Sequence, residues 1–166
     1  PKTLTGLDVS DRAIQFCKHV HAVGGLSFTK GDAESLPFDG ASFDAVINIE
    51  SSHCYGSMEA FLANAKRVLR QNGYFFYADF RNKNDVALLH SLMEQSGMKI
   101  LKREDITANV LRSLDLDDRR KVLLIRALFR NWLLKPFLEF AGVKGSKIYS
   151  GFESGAIAYL HYLLQK

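Results

Sequence analysis

LSFTKGDAESLPFDGASFDAVINIE, residues 26–50, decides how this chain folds. It holds two apolar runs, 26–29 and 43–49, separated by Gly31-Asp32 and by a turn that Pro37, Asp39 and Gly40 punctuate. Ala45, Val46, Ile47 and Ile49 follow one another with little polar alternation, the pattern of a strand buried on both faces of a parallel sheet. In open sheets of that kind, ligands bind beyond the carboxyl ends of the strands, where strand order reverses. Asp32 and Glu50 close the two runs and so stand where a ligand would sit. Taken alone, Asp32 reads equally well as a solvated turn residue.

Working outward, residues 4–8 read as a short strand ending at Asp8. Ser10 then caps a helix in which Ala13, Ile14, Phe16, Cys17, Val20 and Val23 recur at helical spacing until Gly24-Gly25. That helix is expected to pack back on the sheet. On the other side, Ser51-Ser52-His53-Cys54-Tyr55 forms a polar loop entered directly from the buried strand. A helix over 57–70 follows, with Phe61, Leu62, Ala65, Val68 and Leu69 as its apolar stripe, closed by Gln71-Asn72-Gly73. Residues 74–80 make the next buried strand, whose end carries Asp79 and Arg81. Residues 86–95 read as a helix stopped by Gly97, and 98–107 as a strand polar enough for a sheet edge. From 109 to 141 the spacing is helical but richer in apolar residues than one stripe holds, Trp132 and Phe137 among them. Ordinary core packing is the default for such residues; an apolar wall for a greasy ligand is the alternative. The last ten residues alternate as a final strand. The whole is an α/β chain, one domain over 1–166.

Two motifs carry a family resemblance that extends over nearly the whole chain. One is Gly31-Asp32-Ala33-Glu34-Ser35-Leu36-Pro37-Phe38 followed by Ser42-Phe43-Asp44-Ala45-Val46. The other runs from Arg67 through Asn72-Gly73 into Tyr74-Phe75-Phe76-Tyr77, with Asn-Gly where Pro-Gly is usual. Both resemble class I S-adenosylmethionine-dependent methyltransferases, in the branch that methylates hydroxyls of lipids and natural products and includes phthiotriolone methyltransferases. The resemblance implies a Rossmann-like sheet with flanking helices and a helical insertion before the last strand, with 108–141 as a cap or substrate lid. It implies S-adenosylmethionine as cofactor, Asp8 on the ribose hydroxyls, Asp32 accepting from the adenine amine, the Ala33 amide facing a ring nitrogen, and Glu50 at the same strand ends. His53 matches a base that deprotonates the substrate hydroxyl, and imidazole suits that task near neutral pH. Asp79 matches an acidic residue assisting it. On their own residues, His53 reads equally as a packing or capping histidine, and Asp79 as a cap or a partner of Arg81.

One departure stands against the family pattern. The glycine-rich turn expected before Asp8 is absent from these residues, and neither Gly6 nor Gly24-Gly25 can replace it. The domain is therefore expected to be truncated at its N-terminus, or to have lost cofactor binding, and these residues alone are expected to bind the cofactor weakly.

Composition narrows the alternatives. Lys and Arg number 22 against 18 Asp and Glu, and the basic residues form no long tract, so nucleic acid is not an expected partner. No apolar run approaches the roughly 18 residues of a membrane span. Two cysteines without metal spacing fit a reducing cytosol. His19 and His21 have no acidic or cysteine partner at ligand spacing, so no metal site is expected. The expected partner is a lipophilic small-molecule acceptor. A non-catalytic relative of the fold that binds protein or lipid through 109–141 is the competing reading, and another nucleotide enzyme on the same fold is a third.

Overall fold

Apolar spacing and turn residues set the order of elements, and strand pairing then sets their bounds. The computed structural model describes residues 1–166, the side chain of Asn131 excepted. The elements are β1 (Leu4–Asp8), α1 (Asp11–Val20), β2 (Leu26–Lys30), β3 (Phe43–Ile49), α2 (Met58–Val68), β4 (Leu69–Asn82), α3 (Val86–Gln95), β5 (Lys99–Asp105), α4 (Thr107–Leu128), α5 (Asn131–Phe140), α6 (Lys147–Glu153) and β6 (Ile157–Gln165). β1 and β2 form a parallel pair. The other strands form a second sheet in the order β3-β4-β6-β5, with β3 parallel to β4 and β6 antiparallel to both neighbours. The polar strand is indeed at an edge.

One face of the larger sheet builds the core. Phe75 and Tyr77 of β4 and Leu160, Tyr162 and Leu164 of β6 point together at Phe61, Leu62 and Ala65 of α2 and Leu89 and Met93 of α3. Alternation along β4 supports this, because the intervening Tyr74 and Phe76 are exposed. Each large side chain fully buried there contributes about 1.5–3 kcal/mol.

The opposite face corrects the reading of β3. Its Ile47 and Ile49 are 60% and 61% exposed, so the strand is not buried on both sides. The reason is placement: among the described residues β3 pairs only with β4, and α2 and α3 cover only the face that Val46 shares. Similarly, α1 stops at Val20 rather than at the glycines, and only Ile14 of its stripe is buried, leaving Phe16, Val20 and Val23 exposed.

The helix expected over 57–70 ends at Val68, because Leu69 is already paired with Phe43. Asn72 takes a left-handed φ of 65°, which asparagine tolerates better than most residues. Gly73 is required by contact, since a Cβ there would lie 2.9 Å from the Arg70 carbonyl oxygen and 3.0 Å from that of Asp44.

Glu34 fastens the loop after β2 to the start of α2. Its Oε1 accepts from the Gly56 amide at 2.7 Å and its Oε2 from the Ser57 amide at 3.0 Å. Glu34→Ala is expected to destabilise the protein by about 1.5–3 kcal/mol, the range for hydrogen bonds to charged groups. Urea midpoints of the two proteins check this; equal midpoints would show that the fastening contributes nothing.

Candidate active site

β3 and β4 run parallel in register, Ile49 opposite Ala78, so the loop that leaves β3 passes beside Asp79, the next residue of β4. This is what brings His53 to Asp79 across 26 residues of sequence. His53 Nδ1 lies 2.9 Å from Asp79 Oδ1, and the His53 amide donates to Asp79 Oδ2 at 3.0 Å. The imidazole stands over the Phe80 ring with centroids 4.3 Å apart. With Nδ1 donating to a carboxylate, the lone pair is left on Nε2, on a side chain 29% exposed.

Asp79 is 0% exposed, so its charge must be answered locally. Ser52 Oγ donates to Oδ2 at 2.6 Å, and Arg81 Nη1 lies 3.3 Å from the same oxygen. Arg81 Nη2 also donates to Ser52 Oγ at 2.8 Å, and the Tyr77 hydroxyl lies 3.0 Å from Ser52 Oγ. Burial by itself would raise the Asp79 carboxyl; the hydrogen bonds from Ser52 and His53 and the Arg81 guanidinium together outweigh it and hold it below the usual carboxylate range. Burial is the main cause that pushes the Tyr77 hydroxyl up, so it stays neutral. The Asp79–Arg81 pairing that the sequence offered as an alternative coexists with the Asp79–His53 contact.

A cleft of about 440 Å³ opens beside His53. Met58 of α2, Phe80, and Leu88, Leu89 and Leu92 of α3 give it apolar walls, while Arg81, Glu59 and Asp85 stand at its polar parts. None of the described residues of 108–141 lines it; its leucines come from α3. Within 108–141 itself, Ile125 is buried, but Leu123, Leu124, Leu128, Trp132 and Phe140 are exposed, so core packing does not account for them. A broader depression of about 540 Å³ at His21, Gly24 and Phe28 lies at the amino-terminal ends of the strands, away from the site.

Asp8 and Asp32 stand at the carboxyl ends of the adjacent strands β1 and β2, both exposed. Each also makes a turn contact, Asp8 Oδ1 accepting from the Ser10 amide at 2.7 Å and Asp32 Oδ1 from the Glu34 amide at 2.9 Å. One carboxylate oxygen of each remains for another donor. Ala33 is buried between them and α2. Glu50 caps β3 with a left-handed φ of 50°, a conformation that costs a non-glycine residue energy. Its Oε1 accepts from the Tyr159 hydroxyl at 2.8 Å, a contact spanning 109 positions that no local signal could reveal. Burial, then the Glu50 contact, push that hydroxyl up. Asn48 is buried in β3; its Nδ2 donates to Ser51 Oγ at 2.7 Å and to Tyr55 at 2.8 Å, while its Oδ1 has no hydrogen-bond partner among the described residues.

A family model described as a methyltransferase domain matches residues 1–77. The phthiotriol/phenolphthiotriol dimycocerosates methyltransferase of Mycobacterium tuberculosis is 39% identical over 166 residues, which take in 100% of this chain and 62% of that protein. The fatty-acid O-methyltransferase of Mycolicibacterium smegmatis is 39% identical over 139 residues, 81% of this chain and 51% of that one. Over the residues matched, the chain is similar to class I S-adenosylmethionine-dependent methyltransferases. Its fold is theirs: the phosphoethanolamine N-methyltransferase 2 of Haemonchus contortus superposes with a TM-score of 0.82 over 98% of this chain and 43% of that one, at 14% identity. So low an identity speaks to the fold alone. The chain spans 62% of the length of its M. tuberculosis relative.

The residues at the strand ends fit the cofactor of this family, S-adenosylmethionine. That molecule is cationic at sulfur and at its amine and rich in donors. Asp8, Asp32, Glu50 and the orphaned Asn48 Oδ1 are all acceptors, at the carboxyl ends of β1 and β3 and just past β2. Among the described residues, no cluster of His, Cys, Asp or Glu could hold a metal ion, and no helix is long and apolar enough to cross a membrane. Cys17 and Cys54 are free thiols.

Proposed function

We propose that the protein transfers a methyl group from S-adenosylmethionine to a hydroxyl of a lipophilic small molecule such as a lipid or polyketide-like compound. The observation that carries this reading is the His53–Asp79 pair, 2.9 Å apart, beside a cleft that Met58, Phe80 and the leucines of α3 wall on its apolar side. Both curated relatives quoted above are named for methylating lipids, which supports the acceptor class.

When bound, the cofactor supplies an already activated methyl group, so the protein's tasks are alignment and removal of one proton. Asp8 would hold the ribose hydroxyls, Asp32 and the Ala33 amide would hold the adenine, and Glu50 and Asn48 would meet the remaining donors at the end of β3. The acceptor chain lies against Leu88, Leu89, Leu92 and Met58. Its hydroxyl donates to His53 Nε2, and the proton passes there as the oxygen turns nucleophilic. Asp79 keeps the proton of the neutral imidazole on Nδ1 and stabilises the imidazolium once formed. Tyr159 positions Glu50. Burying the acceptor contributes about 0.8 kcal/mol per methylene, so long-chain acceptors gain most from such a wall.

The test is methyl transfer from labelled cofactor to a series of hydroxyl compounds of increasing chain length. kcat/KM rising with chain length is expected; turnover confined to small hydrophilic acceptors would overturn the reading. For the cofactor, Asp8→Ala and Asp32→Ala are each expected to weaken binding by about 1.5–3 kcal/mol, as lost charged hydrogen bonds do. Calorimetry measures this, and unchanged affinity in both variants would remove these residues from the cofactor site.

A further inference from the structure

α4 presents an apolar strip to water. Leu116 is 80% exposed, and Leu123, two turns along the same side of the helix, is exposed as well. The other side of the helix is engaged: Ile125 is buried, Lys121 Nζ donates to the Ala141 carbonyl at 3.0 Å, and Asp118 accepts from the Lys144 amide at 2.7 Å. The strip therefore faces away from α5 and α6.

A basic edge runs beside it. Arg112, Arg119 and Arg126 recur every seventh residue, so they share one side of the helix, and all three are exposed. Leu116 and Leu123 each follow one of these arginines by four residues and sit next to it on the surface. The acids of α4 are occupied elsewhere. Asp115 accepts from Tyr149 at 2.7 Å and pairs with Lys144 at 3.0 Å, and Asp117 pairs with Arg120 at 2.5 Å. Asp115 neighbours Arg112 and Arg119 on the surface but is engaged by Lys144 and Tyr149, so among the described residues none of the three arginines pairs with an acid of its own helix. Trp132, 76% exposed, follows at the start of α5.

Exposed leucines flanked by arginines, on a helix whose opposite side is anchored in the protein, form an interfacial surface. We propose that α4 docks on an anionic lipid surface, with Leu116 and Leu123 entering the headgroup–acyl boundary and Arg112, Arg119 and Arg126 lying on the anionic headgroups. The proposal rests on the lipophilic acceptor argued above, because such a molecule resides in a lipid phase. A second copy of the chain fits the surface less well, since a symmetric contact would bring two arginine edges together with no free acid of α4 between them.

Co-sedimentation of the full-length protein with vesicles tests this, using phosphatidylcholine alone and phosphatidylcholine mixed with phosphatidylglycerol. Binding to the anionic vesicles only, weakened by salt, is expected. Each basic residue near such a surface is worth about fivefold, so Arg112→Gln, Arg119→Gln and Arg126→Gln together should weaken binding roughly a hundredfold. Leu116→Gln with Leu123→Gln should also weaken it. Both sets change exposed side chains outside the cleft, so methyl transfer to a detergent-dispersed acceptor should stay at the wild-type rate. Failure of the wild type to bind anionic vesicles, equal binding by the variants, or a dimer that Leu116→Gln dissolves would each overturn the docking surface. Vesicle binding without transfer to any lipophilic hydroxyl would instead overturn the acceptor class and leave the surface standing.

Discussion

Replacing His53 by alanine is expected to lower the rate of methyl transfer to a hydroxyl by roughly 10²–10⁴-fold, the range that a positioned general base supplies. The cofactor's dissociation constant should not move, since His53 faces the acceptor cleft while the acidic acceptors at the strand ends hold the donor. Side-chain loss at a partly exposed loop position should also leave the fold intact. Single-turnover rates with labelled cofactor, alongside calorimetric cofactor titration, separate these effects. A variant that keeps its rate on a hydroxyl acceptor would show that His53 is not the base.

Asp79→Ala is expected to be the most damaging single change to stability, at about 3–5 kcal/mol, because removing one member of a buried ion pair leaves the other uncompensated. Here Arg81, whose side chain is largely buried, would lose its carboxylate, and Ser52 and the His53 amide would lose their acceptor. The direction with pH follows from the depressed Asp79 carboxyl. A group whose folded value lies below its unfolded value stabilises the protein at pH above the unfolded value. That stabilisation is lost as pH falls through the folded one. The gap between wild type and Asp79→Ala should therefore be full at neutral pH and shrink in acid. Urea midpoints of both proteins at neutral and acid pH give the answer; a gap that is absent at neutral pH, or undiminished in acid, would sink this account. Asp79→Asn separates charge from shape. It should retain more stability than alanine while still slowing transfer, because a neutral amide does not stabilise the imidazolium.

Local chemistry determined a large part of this protein. Ser10 and Ser57 cap their helices, and the apolar run 43–49 is a strand whose end presents a carboxylate. The positions of Asp8, Asp32 and Glu50 at or just past strand ends were legible, because strand ends are marked by the chain's own turn residues, whereas Asp79 lies inside β4, which pairing carries on to Asn82. Tertiary structure alone decided which of them meet. His53 reaches Asp79 only because β3 and β4 pair parallel with Ile49 opposite Ala78, and register is a property of two segments rather than of either one. The same holds for the Ser52 and Arg81 contacts that keep the buried carboxylate ionised, and for Tyr159 on Glu50. Burial was misjudged wherever it depended on what covers a residue. Ile47 and Ile49 read as core and are open, because only one face of β3 carries helices. Trp132, for which core packing is the default reading, is open as well. Apolar periodicity shows which residues share a face, but only packing decides whether that face meets protein, ligand or solvent.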